Sequence, residues 1–188
     1  MKNNKTVIII LFFLTSFFGW LIETVGTFIV EGEIVDRGIL FLPFCPIYGI
    51  CVTFIFIVLK APGMGYLSYL DNKYFLEGNK IKIITLHISY GVLFGLICGV
   101  GEYFTGLFID LFGIDKLWSY ESYQDNINGY VRLTYVFLFG LFGFLYMKYV
   151  YSKIYQSLIH KNLKIYKLIN IVLTIFVLLD IIYQVSKI

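Results

Sequence analysis

Five long apolar segments dominate this chain and constrain its fold more than any other feature. They cover approximately residues 7–30, 42–60, 83–112, 131–150 and 166–185. A helix that crosses a membrane needs about 20 mostly apolar residues. The composition agrees, because 59% of the 188 residues are hydrophobic and only 14% are charged. The sequence therefore predicts an all-α, polytopic transmembrane helix bundle of about five spans, forming a single integral membrane domain over residues 1–188.

The second apolar segment differs from the others at its start, which holds Pro43 and Pro46. Proline is tolerated in the first turn of a helix, but it interrupts a helix further in. We therefore expect residues 42–60 to enter the membrane as a broken or re-entrant segment supported by its neighbours.

Lysine and arginine are unevenly distributed between alternate connecting segments. The N-terminus and the second and fourth connections hold 11 of these residues, whereas the opposite side holds four. Positive charge is retained preferentially on the cytoplasmic side of a membrane. The distribution predicts a cytoplasmic N-terminus and, with five spans, a C-terminus outside.

Two of the connecting segments have the pattern of interfacial amphipathic helices. Over residues 151–167, apolar side chains recur at helical spacing opposite Lys153, Lys161 and Lys164. Residues 61–72 combine a proline- and glycine-containing turn with several tyrosines and leucines. Both segments are therefore expected to lie on the membrane surface, in contact with lipid headgroups.

The third apolar segment carries a stripe of glycines, Gly91, Gly95 and Gly99, at intervals of four residues. Small residues on one helix face allow a second helix to approach closely. Gly140 and Gly143 in the fourth segment are suited to the same purpose. We expect these glycines to serve helix packing.

A pattern of glycine and glutamate recurs in the two halves of the chain. The first half contains Gly19, Glu23, Arg37-Gly38 and Gly49, and the second contains Gly99, Glu102, Asn128-Gly129 and Gly140. Both halves are predicted to start on the inner side of the membrane, so the pattern suggests a parallel internal repeat of helical hairpins. Such a repeat would make Glu23 and Glu102 counterparts that face one central site.

Glu23 and Glu102 are the residues on which a functional hypothesis depends. A carboxylate inside the hydrocarbon region is unfavourable unless it faces the bundle interior and finds a partner. Arg37 is predicted to lie near the outer boundary of the membrane, on the same side as both glutamates, and an arginine can pair with a carboxylate. The other binding candidates on that side are Tyr48, Tyr103, Trp118, Asn126, Asn128 and Arg132, accompanied by Asp36, Tyr120 and Asp180. A purely structural hydrogen bond, or a neutral acid, is the alternative role for each glutamate.

The sequence contains no recognisable catalytic or nucleotide-binding motif. Its three cysteines and two histidines do not have the spacing of metal ligands, so no metal and no cofactor is predicted. ATP-driven activity would need a separate ATP-binding subunit. Membrane lipid is an expected partner, nucleic acid is not, and homo-oligomer formation is left open.

Several motifs resemble a bacterial membrane family named "Putative ABC-transporter type IV", the CmpB-type ABC transporter permeases. These motifs are Phe18-Gly-Trp-Leu-Ile-Glu23, Arg37-Gly-Ile-Leu40, Leu42-Pro43, Phe44-Cys-Pro-Ile-Tyr-Gly49, Glu102-Tyr103, Trp118-Ser-Tyr120 and Asn126-Ile-Asn-Gly129. The chain departs from the family pattern at Ser119, where aspartate is usual, and at Tyr130, where arginine is usual. The resemblance implies a permease in the bacterial cell membrane.

Three functional hypotheses follow. The preferred one is a membrane permease with an outward-side polar site built around Glu23, Glu102 and Arg37. The second is a non-transporting membrane scaffold or regulator, in which the buried polar network is structural. The third is a membrane-embedded enzyme that acts on a lipid or envelope precursor, with the two carboxylates as acid and base.

Overall fold

The computed structural model describes residues 5–32, 40–59, 65–113 and 118–186. Most of them are helical. The helices are α1 (Lys5–Glu31), α2 (Pro46–Leu59), α3 (Gly65–Leu76), α4 (Lys80–Leu111), α5 (Leu133–Tyr146), α6 (Ser152–Ile159) and α7 (Leu163–Val185), with a π-helical segment (Met147–Tyr151) between α5 and α6. Two short strands, β1 (Asn126–Ile127) and β2 (Val131–Arg132), form an antiparallel hairpin before α5.

Four helical segments are long and apolar enough to cross a membrane. They are Lys5–Gly26, Lys80–Leu111, Leu133–Ile159 and Leu163–Gln184. These segments correspond to the first, third, fourth and fifth predicted spans, and they confirm an all-α membrane helix bundle. Each exposes apolar side chains along most of its length, as a helix in contact with lipid does.

Residues 42–60, expected to enter the membrane as a broken or re-entrant segment, contain a helix that is shorter than the four long apolar helices. Helix α2 has only 14 residues, a length of about 21 Å at 1.5 Å per residue. The hydrocarbon region is about 30 Å thick. Helix α2 starts at Pro46, as expected for a proline in a first turn. The prediction that the C-terminus lies outside depended on a total of five full spans, and it stays a prediction.

The connection between the last two spans differs from the prediction. Residues 152–159 continue from α5 through the π-helical segment, so residues 151–167 do not form one separate helix. The side chain of Asn162 accepts a 3.1 Å hydrogen bond from the backbone N–H of Lys164 and caps the start of α7. This cap divides the predicted amphipathic segment. By contrast, α3 is a separate short helix, as predicted for residues 61–72.

The chain divides into two compact units, which are described separately. The first comprises residues 1–53 and 155–188. Here the side chain of Asn170 in α7 donates a 2.9 Å hydrogen bond to the carbonyl of Thr6 in α1. Gly49 at the start of α2 lies so close to α1 that a Cβ atom would be 2.2 Å from Ser16 Oγ. Helix α1 is therefore packed by both neighbours in this unit.

The second unit comprises residues 54–154, and its centre is the pair α4 and α5. A Cβ atom at Gly95 would lie 2.4 Å from the carbonyl oxygen of Val136, and one at Gly140 would lie 2.6 Å from that of Gly91. Backbone therefore meets backbone along this interface. The structure confirms that these glycines serve helix packing. The single domain over residues 1–188 stays a prediction.

Candidate functional site

Glu23 is held by a tyrosine within the first unit. The hydroxyl group of Tyr48, at the start of α2, donates a 2.6 Å hydrogen bond to Glu23 Oε1. Gly19 lies one helical turn before Glu23, and a Cβ atom there would be 2.4 Å from the Tyr48 ring. The glycine therefore gives the ring room to lie along α1, with its hydroxyl at the carboxylate.

Glu102 has a similar partner within the second unit. Its side chain is buried, with 8% of the residue exposed, and its Oε1 accepts a 2.9 Å hydrogen bond from the Tyr120 hydroxyl. The backbone N–H of Tyr120 donates to the carbonyl of Gly129, at 2.9 Å. Tyr120 is therefore positioned by the β-hairpin, which in turn fixes its hydroxyl against α4.

The hairpin contains three of the predicted site residues, of which Asn126 and Asn128 shape its turn. Asn128 and Gly129 have φ angles of 52° and 74°, the conformation of a type I′ turn. Asn126 Oδ1 accepts a 2.8 Å hydrogen bond from the backbone N–H of Gly129, so its side chain stabilises the turn. Asn128 Nδ2 donates to the Tyr103 hydroxyl at 3.0 Å. The turn is thereby tied to α4 beside Glu102.

Trp118 and Tyr130 anchor the same hairpin. The indole N–H of Trp118 donates a 2.9 Å hydrogen bond to the Tyr130 carbonyl. The Tyr130 hydroxyl donates a short hydrogen bond to Asp110 near the end of α4. The Tyr130 ring also packs against Gly106 of α4. The Trp118 side chain therefore attaches the preceding segment to the hairpin, and the Tyr130 side chain attaches the hairpin to α4.

Arg132 forms an ion pair inside the hairpin region. Its Nε donates a 2.9 Å hydrogen bond to Asp125 Oδ1. Its guanidinium group lies 3.9 Å from the centre of the Tyr123 ring and 5.1 Å from that of Tyr135. Such cation–π contacts favour a positive charge. Arg132 therefore has its charge satisfied by Asp125 and by the two aromatic rings.

Asp125 also caps the start of α5. The hydroxyl and the backbone N–H of Thr134 both donate to Asp125 Oδ2. These two hydrogen bonds, together with the nearby Arg132, lower the pKa of Asp125 to about 2, and the ion pair raises the pKa of Arg132. Asp125 was not among the site residues predicted from the sequence. The dipeptide Asn128-Gly129 was the available signal, because it is typical of a hairpin turn. A hairpin brings the residues on its two sides together, as it does Asp125 and Arg132.

Asp180 has a different role from the one its position suggested. Its two carboxylate oxygens accept hydrogen bonds from the backbone N–H groups of Phe41, at 3.1 Å, and Leu42, at 2.8 Å. Only 8% of the residue is exposed. Asp180 therefore attaches the turn before α2 to α7. No sequence pattern indicates that backbone amides 138 and 139 residues away are its partners.

The predicted site residues fall into three groups. Glu102, Tyr103, Trp118, Asn126, Asn128 and Arg132 all belong to α4 or to the hairpin region of the second unit. Glu23 and Tyr48 belong to the first unit. Arg37 lies outside the described residues, as does Asp36. The meeting of Glu23, Glu102 and Arg37 at one site therefore stays a prediction.

Metal ligands do not cluster in the parts of the chain that the structure describes. There, no group of three or more histidine, cysteine, aspartate or glutamate side chains could hold a metal ion. Cys45, Cys51 and Cys98 form no disulfide with one another in the described part of the chain.

A comparison with protein-family models gives a match over residues 10–185, to the family described as "Putative ABC-transporter type IV". No curated protein and no solved structure matches the chain. The family match covers nearly the whole sequence, including all four long apolar helices. This chain therefore belongs to the putative ABC-transporter type IV family.

Proposed function

We propose that this protein is a membrane permease whose substrate or ion site uses Glu23 and Glu102 as anionic ligands or proton acceptors, with Arg37 as their counter-charge. One observation carries the proposal. In each unit, a carboxylate within a long apolar helix accepts a hydrogen bond from a tyrosine hydroxyl of a following segment. Family membership adds an association with ABC transport.

The chemistry of the Tyr–Glu pairs supports exchange of a positive charge. A carboxylate within an apolar helix is unfavourable and needs a polar partner. A phenol hydroxyl can both donate and accept a hydrogen bond. It can therefore donate to a carboxylate and, after the acid takes up a proton, accept from the carboxylic acid. Tyr48 and Tyr120 would therefore keep Glu23 and Glu102 in place in both protonation states.

The surroundings of Glu102 are suited to a cation more than to an anion. Tyr120 lies beside it, and Arg132 of the hairpin is already engaged by Asp125 at 2.9 Å. Aromatic faces and a carboxylate attract positive charge. We therefore propose a proton, an inorganic cation or a small amine as the charge that Glu102 receives.

The first test measures ligand binding. Purified protein in detergent is heated with Na⁺, K⁺, Mg²⁺, ethanolamine or putrescine, with matched anions as a reference. We expect at least one of these cations to raise the unfolding temperature of the wild type, and Glu23→Gln and Glu102→Gln to lose that shift. Glu77→Gln is the control, because Glu77 is a solvent-exposed partner of Lys82 at 3.6 Å.

The second test measures transport of the same cation, or of protons, into proteoliposomes. Uptake that depends on both glutamates supports the permease. Full uptake in both glutamine variants, at normal protein levels, contradicts the proposed site. A partner ATP-binding subunit, if needed, is expected to restore uptake when it is added with ATP.

A scaffold or regulator is the second candidate function. The internal bonds of the hairpin favour it, because Trp118, Tyr130 and Asn128 all fasten this segment to its own unit. In that case both glutamine variants lower the unfolding temperature and change neither cation binding nor flux. The enzyme hypothesis instead requires an altered product in a lipid extract.

A further inference from the structure

A cluster of three titratable side chains lies apart from the proposed site. His87 Nε2 in α4 is 3.0 Å from Asp71 Oδ1 in α3 and 3.2 Å from Lys148 Nζ in the π-helical segment. His87 is 24% exposed and Asp71 29%. His87 and Glu102 are 15 residues apart on one helix, which corresponds to about 22 Å. The cluster is therefore distant from the Tyr120–Glu102 pair.

A single ring nitrogen cannot form both hydrogen bonds in the same protonation state. Lys148 carries only donors, so it can bond to Nε2 only when this nitrogen is an unprotonated acceptor. The carboxylate of Asp71 is an acceptor, so it can bond to Nε2 only when this nitrogen carries a proton. The two contacts therefore represent alternative states of His87.

The protonation state of His87 depends mainly on these two partners. Among the described residues, the charged groups within hydrogen-bonding distance of the imidazole are Asp71 and Lys148. The Phe144 ring from α5 lies 5.3 Å from the His87 ring, and it also contacts Tyr90 of α4. The other charged groups nearby, Lys73 and Lys82, pair with Glu77 at the turn between α3 and α4.

Lys148 is part of an irregular helical segment. Residues Met147–Tyr151 are π-helical, and the Ser152 hydroxyl donates a 2.6 Å hydrogen bond to the Met147 carbonyl. π-Helical turns are rare, but those that do occur often lie at functional positions. Lys148 connects this turn to α4 through His87. A change in that one contact therefore alters how the π-helical segment is held.

We infer that Asp71, His87 and Lys148 form a proton-sensitive switch. With neutral His87, Lys148 donates to Nε2 and fastens the π-helical segment to α4. When His87 takes up a proton, Nε2–H donates to Asp71, and the positive imidazolium repels Lys148. Protonation therefore strengthens the contact between α3 and α4 and releases the π-helical segment. Histidine is suited to this role because it changes charge near neutral pH.

The tautomer of His87 tests the first half of the switch. The chain has two histidines, so a His160→Asn variant labelled with ¹⁵N-histidine reports His87 alone. At about pH 8, we expect the ¹⁵N shifts of a neutral ring with an unprotonated Nε2. In the same background, Lys148→Met should lose this preference. A neutral ring with its proton on Nε2 would overturn the proposal.

Hydrogen exchange of the backbone amides at residues 147–152 tests the second half. The full-length protein is compared at about pH 8 and about pH 5.5, with exchange times scaled to equal intrinsic rates. We expect about fivefold faster exchange at the lower pH, the ratio that corresponds to the loss of one net hydrogen bond. His87→Gln, which stays neutral, should show equal exchange at both pH values.

Lys148→Met provides the matched control, because it should exchange rapidly at both pH values. Equal exchange of the wild type at both pH values overturns the switch. So does a pH dependence that persists in His87→Gln. Loss of folding in one variant leaves the wild-type comparison decisive.

Discussion

The hydroxyl group of Tyr120 donates a 2.9 Å hydrogen bond to Oε1 of Glu102, across 18 residues of chain. Tyr120 belongs to the segment before the hairpin, whereas Glu102 belongs to the apolar helix α4. The bond therefore connects a polar connecting segment to a buried acid. The strength of this connection can be measured by removing the hydroxyl alone.

Tyr120→Phe is expected to lower the stability of the second unit by about 1–3 kcal/mol, because a buried carboxylate loses a hydrogen bond. The ring contacts with Tyr123 and Tyr135 remain. Thermal unfolding in detergent measures the change. Tyr123→Phe is the control, since its ring contact with Arg132 persists. Equal unfolding temperatures for the two variants would contradict a stabilising role for the Tyr120 hydroxyl.

Gly95→Ala is expected to destabilise the α4–α5 pair by about 1–3 kcal/mol, the usual cost of overpacking. The added Cβ atom would lie 2.4 Å from the Val136 carbonyl oxygen, and backbone cannot move aside as a flexible side chain can. The unfolding temperature in detergent measures this effect. Gly26→Ala in α1 is a matched control, because nothing lies within 4 Å of its added Cβ atom. The control is expected to be neutral or slightly stabilising.

The main helices could be predicted because their signal is local. Long apolar runs and glycines at four-residue intervals act within one helix or between two neighbours, so four of the spans and the close approach of a second helix at the α4 glycines followed from the pattern. The length of α2 was harder to predict. Its apolar run begins before the helix does, and hydropathy alone does not show where the helix begins.

The candidate site could be predicted only in part, because its contacts are long-range. Glu23 and Glu102 stood out as acids in apolar segments, but neither acid indicates which tyrosine will reach it. The ion pair between Arg132 and Asp125 depends on a hairpin that brings the two residues together. The backbone partners of Asp180 depend on tertiary packing and carry no sequence signature at all.

Asp180→Asn is expected to loosen the turn before α2, because the amide keeps one acceptor oxygen where the carboxylate offered two. Cys45 reports this turn, since its backbone N–H donates to the Ser16 carbonyl at 3.0 Å. In a Cys51→Ala and Cys98→Ala background, maleimide should label Cys45 several-fold faster in the variant. Asp125→Asn, in the other unit, should leave the rate unchanged. An unaltered rate in Asp180→Asn would contradict the anchoring role.

The hairpin is expected to lose stability in acid as Asp125 takes up a proton. Its folded-state pKa is about 2, below the value of about 4 of an unfolded aspartate. The ionised group therefore stabilises the folded hairpin above about pH 4, and this contribution disappears as the pH falls towards 2. The hydrogen bonds from Thr134 and the Arg132 ion pair are the interactions that protonation weakens.

Trp118 provides the measurement for this acid transition, since its indole is bonded to the hairpin at the Tyr130 carbonyl. The chain has two tryptophans, so a Trp20→Phe background isolates its fluorescence. Quenching by iodide should increase as the pH falls from about 4 to about 2. Asp125→Asn cannot titrate, and its quenching should stay constant over this interval. Identical curves for the two proteins would show that another carboxyl group controls the hairpin.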